Sequence, residues 1–256
     1  KKYLLYLQGT PFKEIAKTKK FLDMLACVIT RVLQKIIGRR NLFVLLLKFC
    51  KETQYYDVGI SFSNDIWQNG LPHHYIGCND YILRNAKTRR KIAWIHNDPY
   101  RLGFTKNICE QVYGGFNAIV NVSYACKEMF DEIIPEFRDK SKVVYNMIDV
   151  AKVTGHMAEA SPYNPNLFNI VTVARVDNQQ KRIDRVLDCC IRLKENGCDK
   201  FIWTIVGDGP DLTHLEEYAK RNNILDCIDF VGRKLNPYPY IKHADVFVLT
   251  SDYEAY

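Results

Sequence analysis

Short apolar runs rich in β-branched and aromatic residues recur along the chain. Each is closed by a polar or glycine-containing turn and followed by a stretch whose apolar positions return every three or four residues. Residues 168–174 (FNIVTVA) predict a strand and Asp177-Asn-Gln-Gln180 a polar turn. Ile183, Val186, Leu187, Cys190 and Leu193 then share one face of a helix that Gly197 ends. The run 201–206 (FIWTIV) predicts the next strand, which breaks at Gly207-Asp-Gly-Pro210 before a helix through Leu215 and Tyr218. Residues 245–250 (DVFVLT) read as a further, buried strand. The first half repeats the alternation with strands at 56–62, 91–96, 118–122 and 142–145 and a helix over 124–134, and residues 1–7 read as a strand or loop. Strands alternating with helices predict parallel α/β sheets.

Between 150 and 166 the pattern dissolves into Gly155, Ala158, Ala160, Ser161, Pro162 and Pro165, a linker composition where domain closure would hinge. The expected division is a domain over 1–149, a linker over 150–166 and a second domain over 167–256, which suits a chain of 256 residues. No apolar run approaches the roughly 18 residues that span a bilayer, and no signal segment stands at the front. Nine cysteines without paired Cys-x-x-Cys spacing, Cys189 and Cys190 adjacent among them, predict buried thiols in a reducing cytoplasm rather than a metal cluster.

Charge is uneven. Residues 1–50 hold eleven Lys or Arg against Glu14 and Asp23, so this segment carries +9 of a net +7 and the remainder −2. Within residues 15–40, apolar positions over 21–29 and 32–37 make a helix flanked by Lys17, Lys19, Lys20, Arg31, Lys35, Arg39 and Arg40. Such a helix can lie on an anionic membrane surface as a peripheral attachment; equally, its apolar face can pack on the sheet while the charges are solvated. No zinc spacing, recognition-helix signature or aromatic-basic pattern points to nucleic acid.

Open parallel sheets bind ligands beyond the carboxyl ends of their strands. Arg175 lies one residue past a predicted strand and Lys181 at the start of the next helix. The pair suits a diphosphate, held by charge-assisted hydrogen bonds beside a helix N-terminus; the alternative is two ordinary solvated charges. His96 ends the strand at 91–96, a position open either to chemistry or to local hydrogen bonding. Asp208 reads as a turn residue, and Asn121-Val-Ser123, a formal glycosylation pattern, falls at a strand end and is set aside.

Ordered patches change the balance. Val173-Ala-Arg175, Lys181-Arg-Ile-Asp184, Ile205-Val-Gly-Asp-Gly-Pro210, Ile228-Asp-Phe-Val-Gly232 and Ser251-Asp-Tyr-Glu254 together resemble the donor domain of glycosyltransferase family 4. Ile92-Ala-Trp-Ile-His96 resembles its first-domain histidine motif, Ser123 and Lys127 a further patch, and Tyr145-Asn-Met-Ile-Asp149 its interdomain crossing. The resemblance implies a GT-B fold, two Rossmann-like domains facing a cleft, both incomplete here at the chain ends. The family's second motif glutamate would fall past Tyr256, and Ala255-Tyr256 stand where the family has Gly-Phe-Gly.

By the same resemblance, Arg175 and Lys181 contact the donor diphosphate, Glu254 the donor sugar, and His96 lies near sugar and acceptor. Gly207, Gly209, Val231, Gly232, Arg233 and Ser251 complete the donor site. It further implies a retaining, metal-independent hexosyltransferase that needs no cofactor. The donor would be a nucleotide-diphosphate sugar and the acceptor a glycan or lipid-linked molecule, in cell-surface polysaccharide synthesis at the inner face of the membrane. Preorganised cations at the phosphate would stabilise the charge that develops as the sugar leaves. A GT-B epimerase acting on the same donor and a non-catalytic nucleotide-sugar-binding remnant are the rival readings.

Overall fold

A computed structural model describes residues 21–50, 52–64 and 77–254. The expectations for residues 1–7, Lys17, Lys19, Lys20 and Ala255-Tyr256 lie outside them. The chain forms two compact units that divide between Asn146 and Met147.

The first unit opens with helices α1 (Phe21–Ile37) and α2 (Arg39–Leu47) and contains a parallel sheet of β1 (Tyr55–Phe62), β2 (Lys87–Ile95), β3 (Ala118–Asn121) and β4 (Ser141–Val143), ordered as in the chain. Helices α3 (Cys78–Arg84), α4 (Lys106–Tyr113) and α5 (Tyr124–Ile133) connect them, with a 3-10 turn at Pro135–Lys140. Thr105 and Ser123 start α4 and α5 by accepting from the Ile108 and Cys126 backbone N–H groups, each relieving one unpaired helix donor. The core gathers Ile95, Ile119, Phe104, Tyr113 and Phe130. Phe130 meets Tyr113 edge-on at 5.9 Å, the arrangement ring quadrupoles favour.

The second unit begins with α6 (Val150–His156) and builds the parallel sheet β7-β6-β5-β8 from β5 (Phe168–Val173), β6 (Phe201–Val206), β7 (Ile228–Gly232) and β8 (Val246–Phe247). Helices α7 (Asp184–Glu195), α8 (Leu212–Arg221) and α9 (Tyr238–His243) link the strands. The apolar stripe foreseen on α7 is the core: Ile183, Val186, Leu187 and Cys190 are fully buried against Trp203, Ile205, Leu215 and Ile224. Burial also pushes the Cys190 thiol well above its ordinary pKa, leaving it protonated and inert. Gly197 ends α7 in the left-handed conformation at φ 75°, and Cys198 behind it is exposed.

Three expectations are corrected. Residues 150–156, assigned to a linker, are helical, because Asp149 caps α6 by accepting from the Lys152 N–H. The strand expected over 245–250 is an edge ladder of two residues with Val246, Phe247 and Leu249 exposed, since only its β5-facing groups find partners among the described residues. Arg40 is not a solvated charge of a basic helix face: its guanidinium donates to the buried Asp80 at 2.9 Å. On α1, among the described side chains, Leu25, Val28, Ile29, Val32 and Ile36 are all exposed. No helix among the described residues is long and apolar enough to cross a membrane.

A buried polar tie crosses the second sheet. Trp203 donates its indole N–H to the Thr172 hydroxyl, which donates to the Val248 carbonyl, at 3.0 and 2.8 Å. Thr172→Val keeps the shape and strands both partners, so we expect a loss of about 1–3 kcal/mol, read as a lower midpoint in chemical denaturation.

Candidate functional site

The carboxyl ends of β5, β6 and β7 meet with unusually little space between their loops. The Gly207 N–H donates to the Gly232 carbonyl, the Ala174 N–H to Val206 and the Val176 N–H to Asp208, at 3.0–3.1 Å. A Cβ on Gly207 would sit 1.8 Å from the Ala174 carbonyl oxygen, and one on Gly209 2.1 Å from that of Val176. Both glycines are therefore required by the approach of two backbones. Register slips between Ile205 and Val206, so that Val206 pairs with Gly232 and Val231 is passed over, and Gly232 takes φ 68°.

This arrangement opens a cavity of about 470 Å³ lined by Arg175, Gly207, Gly209, Arg233, Lys234 and Pro237 among others. Arg175, Gly207, Gly209 and Arg233 were foreseen there, whereas Lys234 and Pro237 were not. Arg175 is more than half exposed and pairs with Asp177 at 2.7 Å, so its guanidinium is held back against its own loop.

Lys181, Ser251 and Glu254 do not line that cavity; they come together beside it, where the loop before α7 meets the segment after β8. Lys181 forms an ion pair with Glu254, across 73 residues of sequence. Burial alone would raise the Glu254 pKa, but the Lys181 ammonium outweighs it and holds the carboxyl below its usual value. The Ser251 hydroxyl is buried beside the Glu254 carboxylate and helps to hold its pKa down. Gln180 links this pair to the cavity: its side chain accepts from Arg175 at 3.4 Å and donates to the Tyr253 carbonyl at 3.3 Å. Gln180 escaped the sequence reading because its partner Tyr253 lies in another loop, and Asp177, paired with Arg175 two residues before it, showed only as part of the polar turn 177–180.

In the first unit, His96 follows β2 directly. Its N–H donates to the Asn64 side chain, and its ring meets Phe62 edge-on at 4.1 Å and stacks on Trp94 at 6.3 Å. Its Nε2 is buried without a partner among the described residues, and desolvation lowers its pKa, which keeps the imidazole neutral at neutral pH. Ser123 and Lys127 have structural roles, the first as a helix cap and the second paired with Asp131.

Residues 157–256 match the family model of glycosyl transferases group 1. Among curated proteins, an uncharacterized glycosyltransferase of Methanocaldococcus jannaschii, MJ1059, is 21% identical over 187 residues, covering 68% of this chain and 45% of its own. A mutant of S. aureus TarM superposes with a TM-score of 0.56 at 15% identity, covering 85% of this chain and 41% of TarM. The lipopolysaccharide outer core galactosyltransferase WaaB gives 0.53 at 19% identity, over 85% of this chain and 56% of WaaB. The chain thus spans roughly half the length of these proteins. With two Rossmann-like parallel-sheet domains, the fold is GT-B-like, and its C-terminal part carries the group 1 pattern.

The lowered Glu254 pKa fixes the sign of a pH effect. A carboxyl whose folded pKa is depressed adds stability above its unfolded pKa and loses it as pH falls through the folded one. We expect the thermal midpoint to drop as pH falls below about 4.5, the ordinary value of a glutamate carboxyl, and Glu254→Gln to reduce that acid-side drop.

Proposed function

We propose that the protein is a retaining, metal-independent glycosyltransferase. It moves a hexose from a nucleotide-diphosphate sugar to a glycan or lipid-linked acceptor, in cell-surface polysaccharide synthesis. The observation that carries this reading is the meeting of Lys181 and Glu254 beside the Arg175, Gly207 and Gly209 cavity. A cation suited to a diphosphate and a carboxylate suited to sugar hydroxyls stand together at the carboxyl edge of a parallel sheet. The group 1 match over 157–256 supports the reaction class. TarM, solved with UDP, and WaaB, a galactosyltransferase, supply the analogy for donor and acceptor.

In this reading the nucleoside diphosphate lies over the glycine turn, whose backbone reaches the ligand because no side chains intervene. Cleavage of the bond from sugar to phosphate leaves negative charge on the diphosphate. Lys181, released from Glu254, and Arg175, released from Asp177, neutralise it at the strand ends. Glu254, parted from Lys181 by the donor, accepts hydrogen bonds from the sugar. The acceptor hydroxyl approaches on the face that the diphosphate leaves, which retains configuration.

Lys181→Ala or Arg175→Ala is expected to lower kcat for sugar transfer about a hundredfold or more, with an unchanged circular dichroism spectrum. Turnover at the wild-type rate in either variant overturns the phosphate assignment.

The exposed apolar side of α1, with Lys35 on the same helix, supports attachment to the surface of an anionic membrane, where a lipid-linked acceptor resides. Flotation with phosphatidylglycerol vesicles is the measurement: binding that weakens in Ile36→Asp and Val32→Asp is expected. Equal flotation with neutral vesicles, or none, rejects it.

A further inference from the structure

The seam beside Lys181 and Glu254 contains more charge than the transfer chemistry uses. Arg182 adopts φ 50°, a left-handed backbone that costs a non-glycine residue about 1–3 kcal/mol unless its surroundings hold it. What holds it is visible. Its guanidinium donates to Asp184 at 2.8 and 3.0 Å and to Asp252 at 3.2 Å. Asp252 also takes Arg185 at 2.6 Å, and its backbone N–H donates to the Gln180 carbonyl at 2.9 Å. On either side of it, the Thr250 hydroxyl donates to the Lys181 and Arg182 carbonyls at 2.9 Å, and Arg185 donates to the Thr250 carbonyl at 3.0 Å.

The consequence is a division of labour between neighbouring charges. Of the adjacent cations Lys181 and Arg182, the first meets Glu254 and the second meets Asp252, two residues earlier on the same strand-end segment. An exposed ion pair alone contributes little, but one carboxylate shared by two guanidiniums and anchored through its own backbone is a network with a single geometry. Glu254 lacks a guanidinium clamp of that kind: its carboxylate is held by Lys181, the group that a diphosphate would claim, and by its own neighbour Ser251.

We infer that Asp252 is a positioning residue. Gripped by Arg182 and Arg185, it fixes the segment that carries Glu254, so that the Glu254 carboxylate keeps its place for the donor sugar when the diphosphate draws Lys181 away. This rests on the donor-site reading above and adds a determinant for the sugar half of the donor, separate from the phosphate half. Asp252 touches neither sugar nor phosphate in this scheme; it acts through Glu254.

The test is calorimetric titration of the full-length protein with the uridine, guanosine, adenosine, cytidine and thymidine diphosphates and with their sugar conjugates. The readout is the ratio of conjugate to bare diphosphate affinity. Asp252→Asn is expected to lower that ratio about tenfold, the scale of one hydrogen bond to a charged group, with bare diphosphate affinity unchanged. Arg182→Gln should do the same, the double variant should lose no more than either single one, and Asp252→Glu, which keeps the charge, should restore the ratio. An unchanged ratio in Asp252→Asn, or an equal loss for both ligands, overturns the inference while leaving the donor site in place. If the wild-type protein binds none of the diphosphates or conjugates, the donor-site reading falls and takes this inference with it.

Discussion

The close approach of two backbones at Gly207 and Gly209 is the constraint on which the second unit's strand ends depend. Carbonyl oxygens of the β5 exit occupy the volume where side chains of the β6 loop would stand. That contact lets the Ala174 and Val176 N–H groups bond across to Val206 and Asp208, fixing the direction in which the chain leaves β5. The turn toward Lys181, the start of α7 and the burial of Ile183 all follow from that exit. A larger residue at either glycine would push apart the elements that frame the cavity, at a cost typical of overpacked interiors.

Charge then does locally what packing does in the core. The loop before α7 reaches the core through Val176 and Ile183, and its charged residues add a second fastening: Asp184, Asp252 and Glu254 are each held below ordinary carboxylate values, chiefly by hydrogen bonds from Arg182 in the first two and by Lys181 in the third. Polar fastening suits a binding edge. It holds loops in register and still permits the exchange of a protein partner for a ligand, which an interlocked hydrocarbon interface resists.

Much of this was legible in the sequence. Strands 168–173 and 201–206 are apolar runs bounded by turn residues, and α7 wrote its buried face into Ile183, Val186, Leu187 and Cys190 at helical spacing. Arg175 could be placed at a strand-end site by the rule that parallel sheets bind ligands beyond their carboxyl ends, whereas Gly207, Gly209 and Arg233, which line the same cavity, were named through the family resemblance. Lys181 was read beside Arg175 from its place at a helix start and Glu254 through the family resemblance; their mutual ion pair was not foreseen. The work of Gln180, Arg185 and Asp252 stayed hidden because each acts on a loop remote in sequence, where local pattern is silent. The helix at 150–156 was missed for another reason: Gly155 and the prolines beyond it dominated the composition, while the cap at Asp149 decided the structure.

Cys198, just past the left-handed glycine that stops α7, is the most open thiol among the described residues. It sits at the amino end of β6, whereas the cavity forms at the carboxyl ends of the same sheet. A maleimide dye or spin label attached there would ride on the rigid body of the second unit without touching its binding edge. The fold thus supplies its own handle for watching that unit in solution, with Cys109, Cys126, Cys190 and Cys227 shielded by burial from the same reagent.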